Sequence, residues 1–533
     1  MKSKPDTSVV LALPASASLA DRSAFLAVAG RIAVASEVLA DRDKYLAVAE
    51  LDAQSSPMLV AAGNVLIDLV DQGWAIDVAD SSVLLSAPST AVAHDEEKER
   101  VRRQERIRRD AQLAQPSVQR FVRKMEGGHR FGDRFVSVFD LMRDGADLLE
   151  AFDNTPDRAV RPYIQVVNGS DKCSLTGFNL HDIWRYFRHT WTNSYATVPG
   201  RSMPLLVRDA SSEFHPIIGL AAISSPVVQI AERDSWIGWD TKSFIRAVKD
   251  APSVQVAAWL ERRIETQLSE IYVDDLLREG VLSPTDIAEP SRSIVDRLRE
   301  DAERFRVRHH RSARLKRLRE IDRSDWQQRA ETDLFRSKRS LLLAETLEAK
   351  LILGAVNLTP TKASLPSAIQ DPIVAAQIQR LVRRARGERV GTVIADLTVC
   401  GAVAPYSALA AGKLVGALAV SPPVLRAYAA KYSRPSEIAS SMAGRPVIRE
   451  ARLAFVGTTS LYGSGSSQYN RLFWPAEVMA GRPDEKMGFF RLGRSKSFGS
   501  SHFSDETVAS LVRLAESSGS GTRVNSLFGE GVS

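Results

Sequence analysis

Cysteine is nearly absent: Cys173 and Cys400 are the only two in 533 residues. One distant pair cannot build a disulfide framework, and with no Cys-x-x-Cys or Cys/His cluster there is no zinc-ligand spacing. A reducing, cytoplasmic compartment is the expected setting. Long apolar runs are lacking as well. LVAAGNVLIDLV (Leu59–Val70) is shorter than the roughly 20 residues that cross a bilayer, and it carries Asn64 and Asp68. The opening MKSKPDTSVVLALPASASLADR imitates a secretion signal, but Pro5 and Asp6 interrupt it and the apolar run Val9–Leu13 is too short for an export core. No Ser-His-Asp order or paired-carboxylate motif can be assembled, and His502 has no Cys or acidic ligand pattern beside it and reads as structural. No catalytic residue, metal or cofactor is therefore assigned.

What is present is an ordinary globular composition, 44% apolar and 25% charged, at a length that suits about three domains or subdomains. The net charge of +7 is modest, but it is concentrated. Between Lys98 and Arg134 twelve Lys/Arg face five Asp/Glu, and RFRVRHHRSARLKRLR (Arg304–Arg319) has eight Lys/Arg, two His and no acid. Both runs read as largely helical, and in the second Phe305, Leu315 and Leu318 are too sparse for a wide core-facing stripe. Such helices offer phosphate contacts that hold a nucleic acid without reading it. The candidate contacts are Arg102, Arg103, Arg106 and Arg109 in the first run, and Arg304, Arg306, Arg308, Arg311, Arg314, Lys316, Arg317 and Arg319 in the second. The bland account is a solvated face paired with its own acids, as i,i+4 neighbours in EEKERVRRQERIRRD could be. An acidic protein partner is a further alternative, with the chain as a scaffold.

The pattern along the chain predicts an α/β (α+β) fold with a mixed sheet. Residues 1–95 form a mostly helical subdomain closed by a small hairpin at GWAIDVADSSVLLSAP, and 96–134 a basic helix and linker. Residues 135–251 and 386–533 form a discontinuous α/β core, which a charged helical insertion at 252–385 interrupts. RPYIQVVNG, MPLLVRD and PIIGLAAISSPV read as strands in an antiparallel meander, and NLHDIWRYFRHTW as a helix. Within AERDSWIGWD, a strand reading puts Arg233 and Trp239 on one face and Asp234 and Trp236 on the other. On that reading Arg233 and Asp234 find separate partners, one tryptophan fills the core, and the acid or the base orients later loops.

GTVIADLTVCGAV predicts a buried strand whose small-residue turn leads into a helix near Ala410, an arrangement able to present backbone N–H groups to a phosphate. Gly412 and Lys413 do not make a nucleotide-binding P-loop, because position 407 is serine and Leu414 stands where the metal-binding hydroxyl belongs. The turn is closer to the acetyl-CoA loop of GNAT-type acyltransferases. In that register Ser407, Ala410 and Gly412 replace the motif, with its leading side chain and first glycine lost, and the meander resembles the centre of that fold. Acyl transfer would need a CoA-sized cleft at Ala408–Lys413. TTSLYGSGSSQYNRLFWP offers Tyr462, Ser466, Ser467, Gln468, Tyr469, Asn470 and Arg471, which either grip a phosphate or base edge or satisfy their own turn.

Four ordered motifs, HPIIGLAAISSPVVQIAERDSWIGW, DLTVCGAVAPYSALAAGKLVGALAVSPPV, TSLYGSGSSQYNRL and LGRSKSFGSSHFS, resemble those of the Druantia A family over about Arg201–Phe503. The resemblance implies a role in bacterial anti-phage defence beside an energy-driven helicase-type partner of the same system. It supplies no catalytic mechanism, and the N-terminal region and charged insertion lie outside it.

Overall fold

The computed structural model describes residues 8–11, 18–37, 41–50, 56–71, 74–79, 82–86, 102, 105–106, 108–193, 195, 201–226, 230–251, 253–313, 325–356, 364–409, 411–459, 468–479, 481–493 and 503–517. The fold is mixed α/β. Its first part packs the helices Leu19–Glu37, Asp41–Ala49 and Pro57–Asp71 against a three-stranded sheet of β1 (Ser8–Leu11), β2 (Ala75–Ala79) and β3 (Ser82–Ser86), in the order β1-β3-β2. The predicted hairpin is β2–β3. Asp68, buried on the third helix, accepts from the Ser504 N–H at 2.7 Å. The helix Asp505–Ser517 is thereby tied back onto this N-terminal unit.

After a two-stranded hairpin, β4 (His129–Phe131) and β5 (Arg134–Val136), comes the sheet that organises the body. Its strands are β6 (Pro162–Val166), β7 (Ser202–Asp209), β8 (Ile217–Ser224), β9 (Ile394–Ala402) and β10 (Phe455–Gly457), in the order β10-β9-β8-β7-β6. The first four pair antiparallel in succession, and β10 joins β9 in parallel. Between Ala222 and Ile223 the β8–β9 register slips, so that Val399 and Leu397 are their partners and Thr398 is skipped.

Alternation splits the strands between two cores, with its phase changed once in β8 where the β7–β8 register shifts, Val207 pairing with Gly219 and Arg208 with Ile217 so that Ile218 is skipped. Leu206, Leu220 and Ala222 face Ile183, Trp184 and Phe187 of the helix Leu180–His189. Met203, Leu205, Val207, Ile218, Ala221 and Ile223 face Tyr406, Val415, Val424 and Tyr428 on the other side. A sheet covered on both faces has no solvent side, which is why PIIGLAAIS reads as an unbroken small and apolar run.

Gly219 shows how tightly the layers meet. A Cβ there would lie 2.4 Å from the Gly401 carbonyl oxygen and 2.5 Å from a Val415 methyl. Both neighbours belong to packed elements, so Gly219→Ala is expected to cost about 1–3 kcal/mol through overpacking. Denaturant unfolding of the variant checks this, and an unchanged midpoint would contradict it.

Between β8 and β9 the chain runs through helices, among them Val254–Ser269, Arg292–Ala313, Asp333–Ala355 and Pro372–Val393. They enclose two further apolar clusters, one around Leu260, Ile378 and Leu381 and one around Leu276, Leu298, Leu343 and Leu347.

Candidate functional site

The first basic run is helical where described, at residues 102, 105–106 and 108–114, and continues into the helix Pro116–Glu126. Pro116 occupies the first helical position, where its missing N–H costs nothing. Val118, Phe121 and Met125, at i, i+3 and i+7, are the buried stripe, which leaves Arg120, Arg123 and Lys124 exposed. Gln112 fixes the run on the body: its amide donates to the Tyr195 carbonyl at 2.6 Å and accepts from the Tyr195 N–H at 2.8 Å. Arg109 pairs with Asp110 at 2.8 Å, while Arg102 is half-buried and Arg106 exposed. Arg120 and Arg123 form no ion pair with any described residue. Arg103 lies outside the described residues.

The second run is more heavily engaged than its acid-free sequence suggests. Arg304 pairs with Asp301, Arg306 with both oxygens of Glu303 at 2.6 and 2.8 Å, and Arg308 with Asp333 at 3.3 Å. Helical geometry is the reason: the acids stand just before the run, three residues back on the same face, or on the neighbouring helix Asp333–Ala355. The Arg306–Glu303 pair is open to water on both sides, where an exposed ion pair is worth about 0–1 kcal/mol, whereas Arg304 reaches a buried Asp301 from the surface; Arg311 is exposed. Arg314, Lys316, Arg317 and Arg319 lie outside the described residues.

Residues 231–240 depart from the strand reading. Ala231–Ile237 is a helix, closed by Gly238 in the left-handed region at φ 80°, with the N–H groups of Trp239 and Asp240 folding back onto the Asp234 carbonyl. Sequence neighbours on a helix lie about 100° apart rather than on opposite faces, so Arg233 and Asp234 reach each other: Nη2 lies 2.8 Å and Nε 2.9 Å from one carboxylate oxygen, with both residues buried. Arg386 approaches the other oxygen at 3.5 Å. The expected separate partners are thus replaced by a mutual buried pair that joins this helix to Pro372–Val393. Neither tryptophan is core: Trp239 is half-buried, and Trp236 is 63% exposed with its ring 6.0 Å from Phe455 on β10.

At the end of β9 the expected turn and helix are present, as a 3-10 turn at Tyr406–Leu409 and a helix at Gly412–Leu418. The space beside Gly412 holds the chain itself. Gln468 donates to the Cys400 carbonyl at 2.8 Å, and its Oε1 lies 2.6 Å from where a Gly412 Cβ would stand. Lys413 donates to the Asn470 carbonyl at 3.3 Å, and Tyr469 packs against Gly416 and Phe489. β10 leaves β9 after three residues, and side chains then serve the vacated edge, Thr458 at the Leu397 carbonyl and Gln468 at that of Cys400. Burial pushes the Cys400 thiol up to about 12, which makes it a poor nucleophile at neutral pH. Arg471 is exposed at φ 59°. Gly412, Lys413, Gln468, Tyr469 and Asn470 are therefore brought together, whereas Tyr462, Ser466, Ser467 and His502 lie outside the described residues.

These elements carry a family signature. The sequence model of Druantia protein DruA matches residues 147–254 and 323–533, more than half of the chain. The chain belongs to the DruA family. It is thereby a component of Druantia anti-phage defence. No curated protein and no solved structure matches it. The DruA match covers all five strands of the main sheet, the Arg233–Asp234 helix, and the Gly412 and Gln468 segments. Both basic runs fall outside the matched segments, as does the β4–β5 hairpin.

Sequence reasoning missed the buried polar centres of this DruA-family chain, Asp209 and His189 among them, because no motif announces them. Asp209, fully buried at the end of β7, accepts from Tyr406 at 2.7 Å and Arg143 at 2.9 Å. His189, buried beside Arg185 and Arg188, is held down at about 4 by desolvation and by those two cations. Neutral at physiological pH and packed among aromatic rings, it is a core residue rather than a proton carrier.

Proposed function

We propose that the chain binds nucleic acid within Druantia defence, with the helicase-type partner implied by family resemblance supplying the energy-driven step. The observation that carries this reading is the exposed cationic face of Pro116–Glu126, where Arg120 and Arg123 have no carboxylate among the described residues to displace before meeting a phosphate. The second run contributes less at first contact, since Arg304, Arg306 and Arg308 must exchange their own acids for phosphate oxygens. Acyl transfer loses support from Gln468, which stands where a CoA-sized cleft was required.

Binding to single- and double-stranded DNA and RNA across a salt series tests the reading. Affinity is expected to fall steeply with salt, and the double charge reversal Arg120→Glu/Arg123→Glu should flatten the logarithmic slope by about 1.4–1.8, two phosphate contacts' worth. Binding that is absent or indifferent to salt overturns the proposal. Co-purification of an acidic protein that survives nuclease treatment would then favour the scaffold alternative.

A further inference from the structure

We infer that the β4–β5 hairpin is a base-stacking platform for single-stranded nucleic acid, an assignment that rests on the nucleic-acid reading and gives it a strand preference. The hairpin HRFGDRFV turns through Gly132 and Asp133, with Gly132 at φ 61° in the position where a two-residue hairpin turn needs glycine. Its register pairs His129 with Val136, Arg130 with Phe135 and Phe131 with Arg134. Directly opposed residues share a face and successive residues alternate. One face therefore carries His129, Phe131, Arg134 and Val136, and the other carries Arg130 and Phe135.

The first face is anchored to the body. Val136 is buried, the His129 ring meets Phe178 edge-on at 4.5 Å, and Phe131 lies against Gly177. Arg134 pairs with Glu213 and reaches over Phe214 at 5.8 Å. The second face is turned to water, and Phe135 is 71% exposed and outside the hydrophobic core clusters. Its ring lies over Gly128, where a Cβ would come within 2.8 Å of it, at the junction with the helix that carries Arg123 and Lys124. Phe135 is thus an aromatic face set between the cross-strand Arg130 and the cationic end of that helix.

The acids nearby are largely engaged elsewhere. Glu126 accepts from the Tyr186 hydroxyl at 2.8 Å, Asp182 faces Lys124 at 3.7 Å, and Glu213 holds Arg134, leaving Asp133 at the hairpin tip. A flat ring flanked by cations suits an unpaired base with its phosphates on either side; a duplex, whose interior bases are already stacked on each other, offers it a face only at its ends. Charge complementarity makes a polyanion the occupant rather than an apolar protein surface.

The experiment uses the full chain with an oligo-dT strand and a duplex of equal length. Phe135→Ala is expected to weaken the single-strand complex about 5- to 100-fold, to leave the duplex complex nearly unchanged, and to be rescued by Phe135→Tyr. Thermal unfolding of the variants should match the parent, because the ring is exposed. A strand carrying 5-iododeoxyuridine should crosslink to Phe135 under ultraviolet light. Equal losses on strand and duplex, no loss on either, or crosslinks confined to other residues overturn the platform while leaving the general nucleic-acid reading intact. A parent chain that binds neither strand nor duplex overturns both. Loss of a co-purifying protein with nucleic-acid affinity unaltered overturns the platform in favour of protein docking.

Discussion

Arg339→Ala is expected to destabilise the helices between β8 and β9 by about 3–5 kcal/mol, the cost of breaking a buried ion pair from one side. Arg339 is 0% exposed and all five of its N–H donors are used. Two go to the Asp275 carboxylate, at 3.0 and 2.6 Å, two to the Ala330 carbonyl, at 3.1 and 2.9 Å, and one to the Tyr272 carbonyl. Truncation removes the bidentate partner of a buried carboxylate and leaves two carbonyls without a donor. Arg339→Lys is expected to recover little, since an ammonium has three donors and no planar fork. A chain with several packed units has no single unfolding free energy, so the measurement is hydrogen exchange in the helices Val254–Ser269 and Asp333–Ala355 under increasing denaturant. A loss below about 1 kcal/mol would mean that the network is no more than an exposed-pair equivalent.

The same network decides how the second basic run behaves. Arg336 also uses all its donors, on Asp275, Glu279 and Asp301, and Asp301 is further bound by Ser340 at 2.7 Å. Asp301 thus faces inward to Arg336 and outward to Arg304. The Phe305 ring lies under three guanidinium groups, those of Arg304, Arg308 and Arg336, at 5.3, 5.5 and 4.6 Å. The start of the run is therefore held to the helices between β8 and β9 by buried chemistry. A polyanion that recruits Arg304 competes with Asp301, whereas Arg120 and Arg123 have no rival carboxylate among the described residues. This ordering is why the Pro116–Glu126 face carries the functional proposal.

The sheet was legible because it is covered on both faces: β7, β8 and β9 are apolar enough that no helical stripe competes with a strand reading. The helix Leu180–His189 was equally plain, its Asn179 cap accepting from two N–H groups just ahead of a 3.6-residue pattern. AERDSWIGWD misled because alternating polar and aromatic residues mimic a strand, and the deciding contact, Arg386 at Asp234, lies about 150 residues further along the chain. Ion pairing in the second run was hidden for a related reason. The acid-free window began just after Asp301 and Glu303, and Asp333 approaches only once two helices pack. At Gly412 the turn and helix were readable, but not Gln468 filling the space beside them. The exposed Phe135 was invisible until the hairpin register separated its face from that of Val136.

Asp209→Ala is expected to cost a further loss of about 3–5 kcal/mol at neutral pH, again by stranding a buried cation. Four donors occupy the two oxygens of this carboxylate: the N–H groups of Arg161 and Ser211 on one, and the Tyr406 hydroxyl and Arg143 on the other. Burial alone would raise its pKa; the Arg161 N–H, the Ser211 hydroxyl and N–H, and Tyr406 together outweigh it, and the net shift is downward. A carboxyl whose folded pKa is depressed binds its proton more readily when unfolded, so stability rises with pH across the interval between the two values. Its contribution is complete above the ordinary value of 3.8 and is lost as pH falls from there through the depressed folded value. Asp209→Asn isolates the charge, because it keeps the shape and cannot ionise. The stability difference between parent and Asp209→Asn should be constant from pH 7 to about 5 and shrink as acid enters that window. Taking the difference removes the titration of other acids such as Asp275, which is present in both proteins. A gap that stays constant well below pH 3.8, or widens, would mean that Asp209 is not held as a buried anion by Arg143 and Tyr406. The tie between the end of β7 and the turn after β9, which sets the path into the Gly412 helix, would then have to come from packing alone.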